Sequence, residues 1–196
     1  MRKGAQTREM ILQRAAPVFN RRGYFGASLA DIMEATGLEK GGIYNHFASK
    51  DDLALQAFDY SVDLVRQAFA EATRDKPHNV DRLLGAVSVF GDMSADSPVS
   101  GGCPVMNTAV EADDAHPLLR ERAQRAMDDW HEYIRRTVAR GIEKGQIRAE
   151  ADPDTMATLI IATLEGAIML TKLYGEQVHM NRAVDYLTGY LASVRL

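Results

Sequence analysis

The sequence predicts an all-α protein in two parts, a small N-terminal three-helix unit holding a helix-turn-helix and a larger helical domain after it. Three observations predict this. Apolar residues recur at three- and four-residue spacing along the chain, as the buried stripe of a helix requires. No convincing run alternates apolar and polar residues, and no hairpin signature is present. Ser, Asp, Pro and Gly stand where helices should begin and end. With 196 residues, 46% of them hydrophobic and 26% charged, the chain can bury a core and is not of disordered composition.

The first helix is expected over about Thr7 to Arg22, with Ile11, Ala15, Val18 and Phe19 on one stripe and Gly23 ending it. Pro17 lies inside it and predicts a kink or a late start, since it lacks an N–H and crowds the carbonyl of Gln13. Ser28 caps the second helix, with Asp31 in the capping-box position, Leu29, Ile32 and Met33 inward and Gly37 as the stop. A short third helix follows, about Glu39 to Asn45. Ser49 and Asp52 repeat the capping pattern at the start of a long fourth helix, whose inner face is Leu53, Phe58, Val62, Val65 and Phe69. After a linker at residues 76–79 comes a helix over about Val80 to Phe90. Gly91 to Pro104 reads as mobile loop, and Val105 to Ala112 as a short helix. His116-Pro117 opens a long helix to about Lys144, buried along Leu119, Ala123, Ala126, Trp130, Ile134 and Val138. Asp152 with Pro153 opens the eighth helix, and the ninth covers about Met180 to Val194. The domain division is set at 1–50 and 51–196.

The net charge of −4 hides a split: residues 1–50 hold eight Lys/Arg against four Asp/Glu, a net +4, which leaves −8 on the rest. A basic head on an acidic body directs one end toward a polyanion. The single cysteine, Cys103, allows no intrachain disulfide and fits a reducing cytoplasm. The start, MRKGAQTREM, lacks the apolar region of a signal peptide, and the apolar stretch Met156 to Leu173 is broken by Glu165 and Lys172, so it reads as a buried helix.

The segment Ser28 to Lys50, SLADIMEATGLEKGGIYNHFASK, joins two short helices through a tight turn at Gly37, the pattern of a DNA-binding helix-turn-helix. Its second helix must enter the major groove with a narrow polar face. Glu39, Lys40, Gly41 and Gly42 supply that face, at a propensity cost of about 1 kcal/mol per glycine that close approach to a partner would offset. Ile43 and Phe47 turn to the core, while Tyr44 and His46 have polar tips for phosphate, and Ser28 offers a hydroxyl at a helix N-terminus.

Here the chain resembles the TetR/AcrR family of bacterial regulators. The resemblance rests on an ordered, gapless series: Phe19, Gly23, Tyr24, Ser28, Ile32, Ala35, Gly37, Lys40, Gly41, Tyr44, His46, Phe47, Lys50 and Leu53. Glu39 and Gly42 depart from the family's frequent residues on the base-facing side, so no operator sequence carries over. The resemblance implies a homodimeric repressor on a near-palindromic operator, released by a small-molecule effector, with no cofactor. By resemblance Tyr44, His46 and Lys50 contact phosphates with Ser28 assisting, and Glu39, Lys40 and Gly41 lie near the bases. Arg2 and Lys3 are candidates for a minor-groove arm. The family's dimer interface lies on the last two long helices; here the eighth is apolar on more than one face, through Leu159, Ile160, Ile161, Leu164, Ile168, Met169, Leu170 and Leu173.

Candidates for an effector pocket are Phe58, Val62, Phe69, Phe90, Met93, Cys103, Met106, Trp130, Ile134 and Met169, since aromatics and methionines suit an adaptable apolar site; each also reads as plain core. Cys103, in Gly101-Gly102-Cys103-Pro104 ahead of Asn107 and Glu111, resembles a subgroup of the family and reads either as an electrophile-sensing thiol or as an inert buried one. Glu111, Asp113, Asp114 and His116 hold metal-ligand chemistry, but their spacing matches no dedicated metal loop and reads equally as a helix-ending turn.

Two other classes compete with the regulator. A helical-bundle enzyme or ligand carrier would need a constellation that is missing: Cys103 with His116 or His131 is the only pair to consider, and neither a phosphate loop nor HExxH is present. A structural DNA-binding protein without a ligand fits poorly with the methionine-bearing second domain.

Overall fold

The computed structural model describes residues 3–95, 98–112 and 114–196, with backbone alone at residues 3 and 93–95. Among them the regular elements are helices: α1 (Lys3–Gly26), α2 (Leu29–Thr36), α3 (Lys40–Tyr44), α4 (Lys50–Thr73), α5 (Asn79–Ala95), α6 (Pro104–Ala112), α7 (Pro117–Glu143), α8 (Pro153–Tyr174) and α9 (Val178–Ser193). A single bridge pairs Ile147 with Arg195. The fold is all-α, as the periodicity predicted. Two compact units share the chain, 3–65 with 98–124 and 66–95 with 125–196, so α4 and α7 each give residues to both. Packing thus draws a boundary other than the division at residue 50, because α6 packs on α1 and draws segment 98–124 into the first unit.

In the first unit, Ile11, Ala15 and Val18 of α1 bury against Ile32, Ile43, Phe47 and Leu53. The punctuation of α2 is as read: Ser28 Oγ accepts from the Asp31 N–H at 3.1 Å, and Asp31 Oδ2 accepts from the Ser28 N–H at 2.9 Å. A capping box of this kind stabilises its helix by about 1 kcal/mol. Gly37 closes α2 in the left-handed region, at φ 70°.

Two expectations fail here. α1 starts by Lys3 and runs through Pro17; the residue in it that leaves helical geometry is Gly23, at φ 75° and ψ 169°. Gln13, whose carbonyl loses the Pro17 N–H, is exposed, so water can donate to it instead. The segment expected to be mobile loop is also different. α5 continues to Ala95, and residues 98–104 are held down. Asn20 Nδ2 donates to the carbonyls of Ser100 and Gly102 at 3.2 and 2.9 Å, Asn107 Nδ2 donates to that of Gly101 at 3.0 Å, and Val99 is buried. Gly and Ser composition signals the turns but not the two amide side chains that fix them.

The second unit packs α5, α8 and α9 against one another. Asp152 caps α8, its carboxylate accepting from the Thr155 N–H at 3.0 Å, with Pro153 in the first turn and Gly175 closing the helix at φ 70°. α8 is the one described helix long and apolar enough to cross a membrane, and half of that stretch is buried in the fold. Its buried face includes Met156, Ile160, Leu164 and Ile168, while Leu159, Met169 and Leu173 stay exposed.

Candidate nucleic-acid interface

The short α3 is set by its own buried residues. Ile43 and, just beyond it, Phe47 are buried, and the Arg8 guanidinium lies 5.1 Å from the Phe47 ring centroid. This anchoring turns the opposite face outward: Glu39, Lys40 and Gly41 are exposed, while Gly42, Tyr44 and His46 are half-buried. The Lys40 ammonium lies 5.8 Å from the centroid of the Tyr44 ring, which joins a cation and a phenol on one face.

The two glycines have no internal purpose. A Cβ on Gly41 would meet nothing within 4 Å, and one on Gly42 would meet only Leu38, at an ordinary 3.5 Å. Packing therefore tolerates side chains at both positions, and what it leaves is a bare strip of helix backbone beside Lys40.

Ser28 and Lys50, both expected at phosphates, have partners within the chain. The Ser28 hydroxyl donates to Asp31 at 2.7 Å, and the Ser28 backbone N–H with that hydroxyl holds the Asp31 carboxyl below the usual carboxylate range. Lys50 Nζ donates to the Tyr24 carbonyl at 2.6 Å and lies 4.6 Å from that ring's centroid. Its remaining ammonium hydrogens leave it able to serve a second acceptor. Arg2 and Lys3 lie outside the described side chains.

Tyr24 is the junction that sequence reading missed. Its hydroxyl donates to Asp51, and burial followed by that hydrogen bond pushes its pKa up to about 12. His116 meets its ring edge-on at 4.7 Å. Glu111 then clamps the break in α1: its carboxylate accepts from the N–H groups of Tyr24 and Phe25 at 2.8 and 2.9 Å. Glu111 thus acts as a cap across 87 residues, and among the described residues no metal-binding cluster forms around it. Asp113 lies outside the described residues.

The effector candidates do not assemble as one set. Phe69, Phe90, Trp130 and Ile134 line a cavity of about 240 Å³ in the second unit, together with Arg66, Asp129 and Tyr133. The rings of Phe69, Phe90 and Trp130 stand 5.6 to 5.9 Å apart, centroid to centroid. Phe58, Val62, Cys103 and Met106 belong to the first unit, where Phe58 borders a narrow cleft of about 30 Å³. Met169 is 51% exposed, outside the cavity lining, and the Met93 side chain lies outside the described residues. The reason is that α4 and α7 change units along their length, so inward residues on one helix serve different interiors. Cys103 is fully buried and its Sγ accepts from the Met106 N–H at 3.4 Å, which denies it the access a reactive thiol needs. Tyr133, one turn from Trp130 on α7, lines the cavity although it lies off the apolar stripe that marks the buried face of that helix.

Residues 11–57 match the family described as bacterial regulatory proteins, tetR family, and residues 79–187 match the tetracyclin repressor-like C-terminal domain. Among curated relatives, the HTH-type transcriptional repressor DhaR of Mycobacterium sp. (strain GP1) is 28% identical over 85% of this chain and 82% of its own. TtgR of Pseudomonas putida, an HTH-type transcriptional regulator, is 27% identical over 89% and 84%. Among solved structures, a TetR transcriptional regulator from Chloroflexus aurantiacus is 48% identical, covers all of both chains and superposes with a TM-score of 0.96. A TetR family regulator from Cytophaga hutchinsonii, 33% identical, covers 100% and 98% with a TM-score of 0.90.

Proposed function

Since the chain belongs to the TetR family of bacterial transcriptional regulators, we propose that it is a homodimeric repressor of a near-palindromic operator, released by a small molecule. It is a DNA-binding regulator and not an enzyme. The observation that carries the operator reading is α3: its exposed edge of Glu39, Lys40 and Gly41 is narrow, polar and free of any packing constraint on its glycines. Such an edge suits a helix whose N-terminal residues read bases in the major groove. Tyr44 and His46 on the same short segment, with Lys50 and Ser28 beside it, serve phosphates. Repression follows the naming of the DhaR relative, and a cytoplasmic site of action follows from an operator as target.

The effector site is the 240 Å³ cavity, and the dimer face is the exposed apolar surface of α8 and α9, through Leu159, Met169, Leu173 and Tyr186. Binding and release form one linkage: an effector that lowers operator affinity binds the DNA-free dimer more tightly by the same factor. Operator selected from a random DNA pool gives the test. Tyr44→Ala should weaken binding to every selected and unselected sequence and flatten the salt dependence by about one phosphate contact. Unchanged affinity and an unchanged salt slope would remove Tyr44 from the interface.

A further inference from the structure

We infer that the cavity of the second unit takes a compact, uncharged, largely aromatic molecule that carries a hydrogen-bond acceptor, received by Trp130 and Tyr133. The inference rests on the reading that this unit senses a small molecule, and adds its chemistry. Size comes first. An apolar cavity of about 150 Å³ holds benzene, so one of 240 Å³ has room for about ten non-hydrogen atoms, a fused bicycle or a ring with a short substituent. The walls come next. Phe69, Phe90 and Trp130 offer ring faces and edges at 5.6 to 5.9 Å from one another, the spacing at which a further ring stacks or meets an edge.

Polarity narrows the class. Trp130 is 5% exposed, and neither its Nε1–H nor the buried hydroxyl of Tyr133 has a hydrogen-bond partner among the described residues. Buried donors are almost always paired, and both of these residues border the cavity one turn apart on α7. An acceptor atom on the occupant pairs them. Charge is settled by Arg66 and Asp129, the charged side chains on the lining, which pair with each other and leave no net charge to hold an ion.

The chain has one tryptophan, and it lines the cavity, so intrinsic fluorescence reads occupancy. The intact protein, without DNA, is titrated with 1-tetralone, with tetralin as the same shape lacking an acceptor, and with 1-naphthoate as the anionic counterpart. 1-Tetralone should bind about tenfold tighter than tetralin, the range of one or two hydrogen bonds, and 1-naphthoate should bind weakest. Tyr133→Phe, and Trp130→Phe read by calorimetry, should each shrink the ratio of tetralone to tetralin affinity severalfold. Equal binding of tetralin and tetralone, stronger binding of naphthoate, or no binding of the three overturns the proposal. A separate operator titration keeps the two readings apart. Tight tetralone binding that leaves operator affinity unchanged upholds the site and sinks the sensor. Operator release by a compound that leaves Trp130 fluorescence unmoved upholds the sensor and sinks the site.

Discussion

A methyl group on Gly41 would enter open space, so Gly41→Ala should stabilise the free protein by about 0.5–1 kcal/mol through helix propensity and a less flexible unfolded chain. The same substitution should weaken operator binding by narrowing the approach to the groove. Thermal unfolding and fluorescence anisotropy on one sample check both halves; a stabilised variant with full affinity would place the groove contact elsewhere. Residue-level reading of the sequence was strongest where the cause is local. Ser28, Asp31, Gly37 and Asp152 act within one turn of themselves, and all stand as caps in the structure. Glu111 acts across 87 residues on Tyr24, and no spacing rule reaches that far, so its role as a backbone clamp was not legible.

At the scale of the element, that clamp sits at the break in α1. Gly23 sits at φ 75° and ψ 169°, a region nearly confined to glycine, and a Cβ there would lie 2.4 Å from the Glu111 carboxylate oxygens. Gly23→Ala should therefore cost about 1–3 kcal/mol of stability. Glu111→Gln keeps the shape but turns an amide N–H toward one of the two backbone donors, and should cost about 1–3 kcal/mol. Chemical denaturation measures both; a neutral Glu111→Gln would show the clamp to be incidental. Helix existence, and most bounds, were legible because apolar periodicity and caps agree. The failures were long-range: Pro17 is carried inside α1 by core burial on the other face, and segment 98–104 is fixed by Asn20 and Asn107, whose targets are backbone carbonyls invisible to composition.

For the whole molecule, the exposed face of α8 and α9 is the proposed dimer face. Leu173 is 69% and Tyr186 67% exposed, and an apolar surface of this kind is ordinarily covered in a stable protein. Sedimentation at micromolar concentration should give twice 21.6 kDa, and Leu173→Glu should shift the boundary toward the single chain. A wild-type monomer would refute the dimer. The pH response also belongs to the whole. Asp31, Asp52, Asp81, Glu132 and Asp152 are all held below the usual carboxylate range, Glu132 down to about 2, by hydrogen bonds from backbone N–H, hydroxyl, amide or guanidinium groups. Their folded pKa values lie below the unfolded ones, so their contribution is complete above about pH 5 and fades as the pH falls through 4 and below. Tyr24, raised to about 12, runs the other way, and its contribution is complete below pH 10 and lost between about 10 and 12. Melting temperatures should form a plateau between these limits; one that climbs below pH 4 would contradict the carboxylate assignments. The boundary between the two units was not legible, because a helix shared between two interiors shows the same apolar stripe as a helix in one.

The bare positions 41 and 42 also bear on how such a protein diverges after gene duplication. Side chains can enter there without disturbing the fold, so on the operator reading proposed above, mutations there that rewrite the preferred operator need no compensating change in the core. On that reading a copy of this gene could acquire a new target site one residue at a time and remain foldable at each step. A combinatorial library at these two positions, sorted against variant half-sites, is the laboratory form of the same process.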